Sequence, residues 1–233
     1  MQVRVAFTPA EAVAAPVAIV VDVLRATSTI SQALAAGYRR VLCCAEVEEA
    51  RALARAYGAV LGGERRAVRI PGFDFGNSPS EYAGEPAAET LVLTTTNGTR
   101  LLLAAAARCE HVLVGSLLNL GAVVEAARAS GAEEVAVLCA GVAGEFALDD
   151  AYVAGRLAAA LDGGSTDSAT AAIRLANTFS SAAEALASSR SAANLRRAGL
   201  EADVAWCARE NMLAVVPRLA ERREDAAEVI LDG

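Results

Sequence analysis

Short runs of β-branched and other apolar residues alternate along the chain with Ala/Glu/Arg stretches of helical period. The run 17–21 precedes a helical stretch at 29–36, 41–44 precedes 47–57, and 91–95 precedes 99–108. The alternation continues through 112–114, a helix over about 119–130, and 135–138. Strand and helix in regular succession predict a layered α/β/α fold around a largely parallel or mixed central sheet. From about residue 163 the pattern becomes mainly helical, with an amphipathic stretch over 165–187 and Val216-Pro217 closing the next one.

Shifting the sequence by about 72 residues superimposes two copies of one plan, each strand, polar loop, helix, strand, helix, strand. The shift sets Arg25-Ala26-Thr27 against Asn97-Gly98-Thr99, each opening a helix. An internal βαβαβ duplication accounts for this, as does convergence of Ala-rich βα units. The expected organisation is one compact unit over 1–233: repeat-like halves at about 1–69 and 88–162, an insertion at 70–87 dense in turn formers, and a helical region over 163–233.

Composition narrows the chemistry. With 233 residues, 55% of them hydrophobic, the chain is long enough to bury roughly 70–75% of its unfolded surface. Its 56 Ala against 10 aromatic residues predict closely packed helices over a Val- and Leu-rich sheet. All 21 basic residues are Arg, which excludes Schiff-base chemistry and a Walker-type lysine. His111 is the single histidine, which excludes histidine-cluster zinc sites. A net charge of −7 argues against a nucleic-acid surface, and no apolar run approaches the ~18 residues of a membrane span. The expectation is a cytoplasmic protein with five buried free thiols, none in a CxxC pair.

Candidate chemistry gathers in four places. Asp22 ends a strand, where parallel sheets face their ligand crevice, as a metal ligand or a loop cap. The turn Arg25-Ala26-Thr27-Ser28 offers hydroxyls and N–H groups at a helix start, either as an anion seat or as plain capping by Thr27 or Ser28. A second cluster, Thr94-Thr95-Thr96-Asn97-Gly98-Thr99-Arg100, is placed the same way in the other copy, so two anion seats would face one crevice. The insertion carries Gly72-Phe73-Asp74-Phe75-Gly76-Asn77-Ser78-Pro79, whose carboxylate, amide and hydroxyl suit a ligand or cation, or simply a structured Ω-loop. Glu64, Asp149 and Asp150 complete an oxygen-only donor set that favours Mg²⁺, although adjacent acids also serve a first helical turn. Cysteine- and histidine-nucleophile phosphatase signatures are missing. The second Asp of haloacid-dehalogenase-like phosphatases is Leu24 here.

The series Val21-Asp22-Val23-Leu24-Arg25-Ala26-Thr27-Ser28-Thr29-Ile30, GFDFGNSP at 72–79, Thr94-Thr95-Thr96-Asn97-Gly98-Thr99, and Cys139-Ala140-Gly141 leading to Ala147-Leu148-Asp149-Asp150 resembles the motifs of the 2-phosphosulfolactate phosphatase family. The resemblance runs in order across nearly the whole chain. It implies a Mg²⁺-dependent phosphatase releasing sulfolactate and phosphate, a step of one route to coenzyme M. The partner implied is a small anionic phosphorylated substrate, with a homodimer left open, and neither nucleic acid nor membrane. For such a reaction the residues themselves suggest catalytic roles for Asp22, Arg25 and Asp74, with Arg25 clamping the phosphoryl oxygens through its bidentate fork. Substrate contacts would come from Thr27, Ser28, Asn77, Ser78, Thr96, Asn97, Gly98 and Thr99, and metal ligation from Asp22, Glu64, Asp74 and Asp149. The sequence departs at Asp149, where Glu is expected, and at Ala202, which interrupts a Gly-x-x-acid-Asp-Val pattern over 199–204. A phosphatase acting on another 2-hydroxy-acid phosphate, or an anion-binding protein without catalysis, stands as the alternative.

Overall fold

The computed structural model describes residues 1–11, 13–162, 166–222 and 226–231. Its first half runs β1 (Gln2–Ala6), β2 (Val17–Val21), α1 (Ala26–Ala36), β3 (Arg40–Cys44), α2 (Val47–Tyr57), β4 (Val60–Arg65) and β5 (Val68–Arg69). The insertion carries one short 3-10 turn, Pro79–Tyr82. The chain continues through β6 (Thr90–Thr94), α3 (Gly98–Ala106), β7 (His111–Gly115), α4 (Leu120–Ala129) and β8 (Glu134–Cys139). Helices α5 (Leu148–Ala160), α6 (Asp167–Ala176), α7 (Ala182–Ala187), α8 (Arg190–Arg197) and α9 (Glu201–Cys207) follow, and then the strands β9 (Arg218–Arg222) and β10 (Ala226–Ile230).

The strands form one mixed sheet in the order β1-β8-β2-β7-β9-β10-β3-β6-β4-β5. On one side β8, β2 and β7 are parallel neighbours; on the other β3, β6 and β4 are. Each block centres on the first strand of one sequence copy and is flanked by the second and third strands of the other. Helices α1 and α3 are therefore the crossovers that exchange the chain between blocks. The β9-β10 pair lies between the blocks, and its antiparallel ladders to β7, to itself and to β3 make the two blocks run in opposite directions.

This ending differs from the helical region expected over 163–233. The residues 218–222 and 226–230 are rich in Arg, Glu, Ala and Leu, all helix formers, yet pairing with β7 and β3 decides their state. The start of the amphipathic stretch at Ser165 lies outside the described residues; α6 and α7 occupy the rest of it.

Period-2 alternation divides the core. In β2, Val17, Ile19 and Val21 join one buried cluster while Ala18 and Val20 join another on the opposite face. The first cluster lies under α4, α5 and the C-terminal helices, the second under α1 and α3, and a third packs α2 against β3 and β6. Each fully buried Val, Leu or Ile contributes about 1.5–3 kcal/mol relative to exposure, so strands covered on both faces read as continuous apolar runs. Alanine does what its abundance predicts: a Cβ on Gly155 of α5 would run into the Ala172 carbonyl of α6, so these helices meet at backbone distance. Cys43, Cys44, Cys139 and Cys207 are buried free thiols and Cys109 is partly buried. No helix among the described residues is long and apolar enough to cross a membrane.

Candidate active site

The loops that leave β2, β4, β6 and β8 come together, joined by hydrogen bonds between them. The Thr96 N–H and hydroxyl donate to Glu64 Oε1 at 2.9 and 2.8 Å, tying the β6 loop to the end of β4. Val23 N–H and Gly141 N–H donate to the two oxygens of Asp150, at 2.9 and 3.0 Å, tying the β2 loop to the end of β8. Between them opens a cleft of about 520 Å³ with Asp22, Arg25 and Glu64 in its lining. Asn77, Thr95, Thr96 and Asn97 line it as well.

Asp22 lines the cleft from the end of β2. It is 8% exposed, and the backbone N–H groups of Ala26 and Gly98, the first residues of α1 and α3, lie near enough to its carboxylate to favour the charged form. Burial, and then the negative charges of Asp149 and Glu64, push its pKa up to about 7. Gly98 is required for this approach, since a Cβ there would sit 2.6 Å from both Ala26 Cβ and Asp22 Oδ2. Asp149 is raised to about 6, mainly by burial, and its Oδ1 accepts the Ser191 hydroxyl at 3.0 Å.

Several expected substrate contacts are turned inward. Thr27 Oγ1 accepts the Asp22 N–H at 3.2 Å and Ser28 Oγ donates to the Val23 carbonyl at 2.9 Å, so both hydroxyls brace the loop that holds Asp22. Thr99 Oγ1 is shared between the Thr95 N–H and hydroxyl. Ser78 Oγ donates to Asp203 Oδ2 at 2.7 Å. None of these four lines the cleft. Asp74 is exposed and also lies outside the lining; its Oδ2 takes the Leu61 N–H at 2.8 Å, which fixes the insertion onto β4.

Arg25 reaches the cleft but is already engaged. Nη1 contacts Asp203 Oδ2 at 2.6 Å and Ser78 Oγ at 3.1 Å, and Nη2 donates to the Ala67 carbonyl at 3.2 Å. Both members of the pair are almost fully buried, at 3% and 4% side-chain exposure. Its guanidinium therefore braces the wall, in contrast to the free phosphate clamp expected from sequence. Glu64 is comparably occupied, its Oε2 accepting the Ala67 N–H at 2.7 Å. No three Asp, Glu, His or Cys side chains among the described residues form a metal-holding cluster.

Asn77 is the exception. Its side chain is 3% exposed, and Oδ1 accepts no hydrogen bond among the described residues. A buried carbonyl oxygen without a donor costs about 1–3 kcal/mol, and this one belongs to a residue that lines the cleft. Sequence reasoning did not reach three further parts of the site. Asp203 pairs with Arg25, and the Asp-Val of the interrupted motif at 199–204 was its signal. Helix α8 supplies Ser191, Asn194 and Arg197, and Arg66 stands in the β4–β5 turn; nothing local marks them, because only the tertiary fold sets them across from Asp22.

Residues 4–222 match the family model described as 2-phosphosulpholactate phosphatase. The chain is 40% identical over 232 residues, 97% of its length and 98% of the relative's, to a protein of Thermus thermophilus named probable 2-phosphosulfolactate phosphatase. A Methanothermobacter thermautotrophicus protein named 2-phosphosulfolactate phosphatase is 39% identical over 233 residues, covering 99% of this chain and 97% of that one. A Deinococcus radiodurans protein with the "probable" form of the name is 40% identical over 209 residues, 87% of each chain.

Proposed function

The chain belongs to the 2-phosphosulpholactate phosphatase family, and we propose on that footing that it hydrolyses 2-phosphosulfolactate to sulfolactate and inorganic phosphate, with Mg²⁺ in the cleft. The observation that carries the reading is Asp22: a buried carboxylate at a strand end, set beside the openings of two helices and lining a cleft, in a chain that matches the family from residue 4 to residue 222.

The donor chemistry fits Mg²⁺. Asp22 is crowded by two other anions, and the Asn77 carbonyl oxygen lacks a partner. Mg²⁺ is commonly held by one or two protein oxygens and completed by water and substrate phosphate, so a full protein cage is unnecessary. Asp22 would hold the ion, with Asn77 as the second oxygen; Glu64 and Asp149 add negative potential while their own oxygens serve Thr96, Ala67 and Ser191. When bound, the cation stabilises negative charge on the phosphoryl oxygens.

Hydrolysis of a phosphate monoester needs roughly 20 kcal/mol or more of barrier reduction, supplied mostly by positioning and charge stabilisation. Asn97 orients the phosphate with its side-chain amide, on a wall that Thr95 and Thr96 keep in place through their bonds to Thr99 and Glu64. Water attacks phosphorus, the P–O ester bond breaks, and the released 2-oxygen takes up a proton to become the hydroxyl of sulfolactate. The test is a panel of phosphorylated 2-hydroxy acids assayed for phosphate release with Mg²⁺. Fastest release from 2-phosphosulfolactate is the expected outcome; preference for another member by tenfold or more would reassign the substrate within the same chemistry.

A further inference from the structure

Arg25 is committed to Asp203, Ser78 and the Ala67 carbonyl, so the positive charge that meets the rest of an anionic substrate has to come from elsewhere in the cleft. Two other arginines line it, Arg66 and Arg197. Arg66 begins a two-residue turn, since Arg65 pairs with Val68 and Glu64 with Arg69. Both turn residues lie in the left-handed region, Arg66 at φ 54° and Ala67 at φ 67°. Such turns ordinarily use Asn-Gly because side chains resist this conformation. Here the turn is locked from below by residues of the cleft itself: Ala67 N–H donates to Glu64 and the Ala67 carbonyl accepts from Arg25. The turn, held at Ala67 by these two bonds, carries an exposed guanidinium that makes no ion pair or hydrogen bond among the described residues. Arg197 stands on α8, another part of the lining, with Nη1 on Asn194 Oδ1 at 3.0 Å.

We infer that Arg66 and Arg197 form a seat for the acidic group of the substrate that is not its phosphate, and that they set the preference for phosphorylated acids over plain phosphate esters. The reading rests on the phosphatase activity proposed above and deepens it. Charge is sorted within the cleft: acids at Asp22 and Glu64 suit a cation with its phosphate, and the two guanidinium groups suit an organic carboxylate or sulfonate, whose oxygens match the planar fork.

The experiment compares 2-phosphosulfolactate with isopropyl phosphate, a secondary phosphate ester lacking both acids, on wild type, Arg66→Ala, Arg197→Ala and Arg66→Gly. Each substitution is expected to lower kcat/KM for the acid substrate, through KM, by at least about 10-fold more than for isopropyl phosphate, the scale of one hydrogen bond to a charged group. Arg66→Gly should show the same KM defect with no fall in Tm, because glycine accepts φ 54° without penalty. Equal losses on both esters, or an unchanged KM, would overturn the inference. If wild type hydrolyses neither ester, the phosphatase reading fails by itself, and calorimetric titration with sulfolactate judges the seat separately. Binding at least 10-fold weaker in Arg66→Ala than in wild type sustains the seat; equal binding, or none to wild type, removes it.

Discussion

The loop after β2 and the loop after β6 are built alike and used differently. Each leaves the central strand of a parallel block and opens a crossover helix, and the bonding repeats: Thr29 N–H to the Arg25 carbonyl in one, Leu101 N–H to the Asn97 carbonyl in the other. A hydroxyl braces each strand end, Thr27 to Asp22 N–H and, one residue off the 72-residue register that sets Asp22 against Thr94, Thr99 to Thr95 N–H. A buried carboxylate ties each loop down, Asp150 at the start of α5 for the first and Glu64 near the end of β4 for the second. The side chains at the strand ends differ. The first loop places Asp22 in the cleft, whereas in the second Thr94 turns its hydroxyl to the Ala45 carbonyl and Arg65. One scaffold used twice thus places a carboxylate, Asp22, in the cleft from the first loop and the neutral residues Thr95, Thr96 and Asn97 from the second.

Exchanging that chemistry should produce the largest effect. Asp22→Asn is expected to lower kcat by about 10³-fold or more, while Thr94→Val at the matching place changes it by less than about 10-fold and shows instead as lost stability, on the order of 1–3 kcal/mol from unmatched polar groups. Steady-state kinetics and urea melts on both variants check this; equal kinetic losses would erase the distinction between the loops. The wall behind the first loop comes next. Asp203→Ala leaves Arg25 buried without its counter-ion and should cost about 3–5 kcal/mol of stability by urea unfolding.

A smaller effect is expected where the loops touch. Gly98→Ala puts a methyl onto Ala26 and the Asp22 carboxylate, at an expected cost of about 1–3 kcal/mol together with lower activity. Adding Ala26→Gly makes room and should restore part of both; no recovery in the double variant would mean that the contact does not position Asp22. His111→Gln, at the exposed start of β7, should leave kcat/KM within about 2-fold, consistent with a surface substitution.

The paired loops were legible in the sequence because strand ends in parallel sheets and helix openings have local signatures, and Asp22, Asn77, Thr96 and Asn97 do line one cleft. Which hydroxyls face inward was not legible. Thr27, Ser28 and Thr99 carry the same side-chain chemistry whether they bind a ligand or brace a loop, and only the backbone path decides. Arg25 read as a free cation because its partner, Asp203, is 178 residues away in sequence. The strands β1, β9 and β10 escaped notice for a related reason: their short, charged or Ala-rich segments become strands through pairing with distant neighbours rather than by intrinsic preference.

The central claim is that Asp22 in the first loop, with an oxygen-preferring cation, carries out phosphate-ester hydrolysis in this cleft. Phosphate release from 2-phosphosulfolactate, measured on the purified chain before chelation, after exhaustive chelation and after adding Mg²⁺ back, with Asp22→Asn alongside, tests it most directly. The account predicts turnover that is lost on chelation, restored by Mg²⁺, and lower by about 10³-fold or more in Asp22→Asn before chelation and after Mg²⁺ is returned. Full turnover after chelation, or an Asp22→Asn variant as fast as wild type, would contradict it.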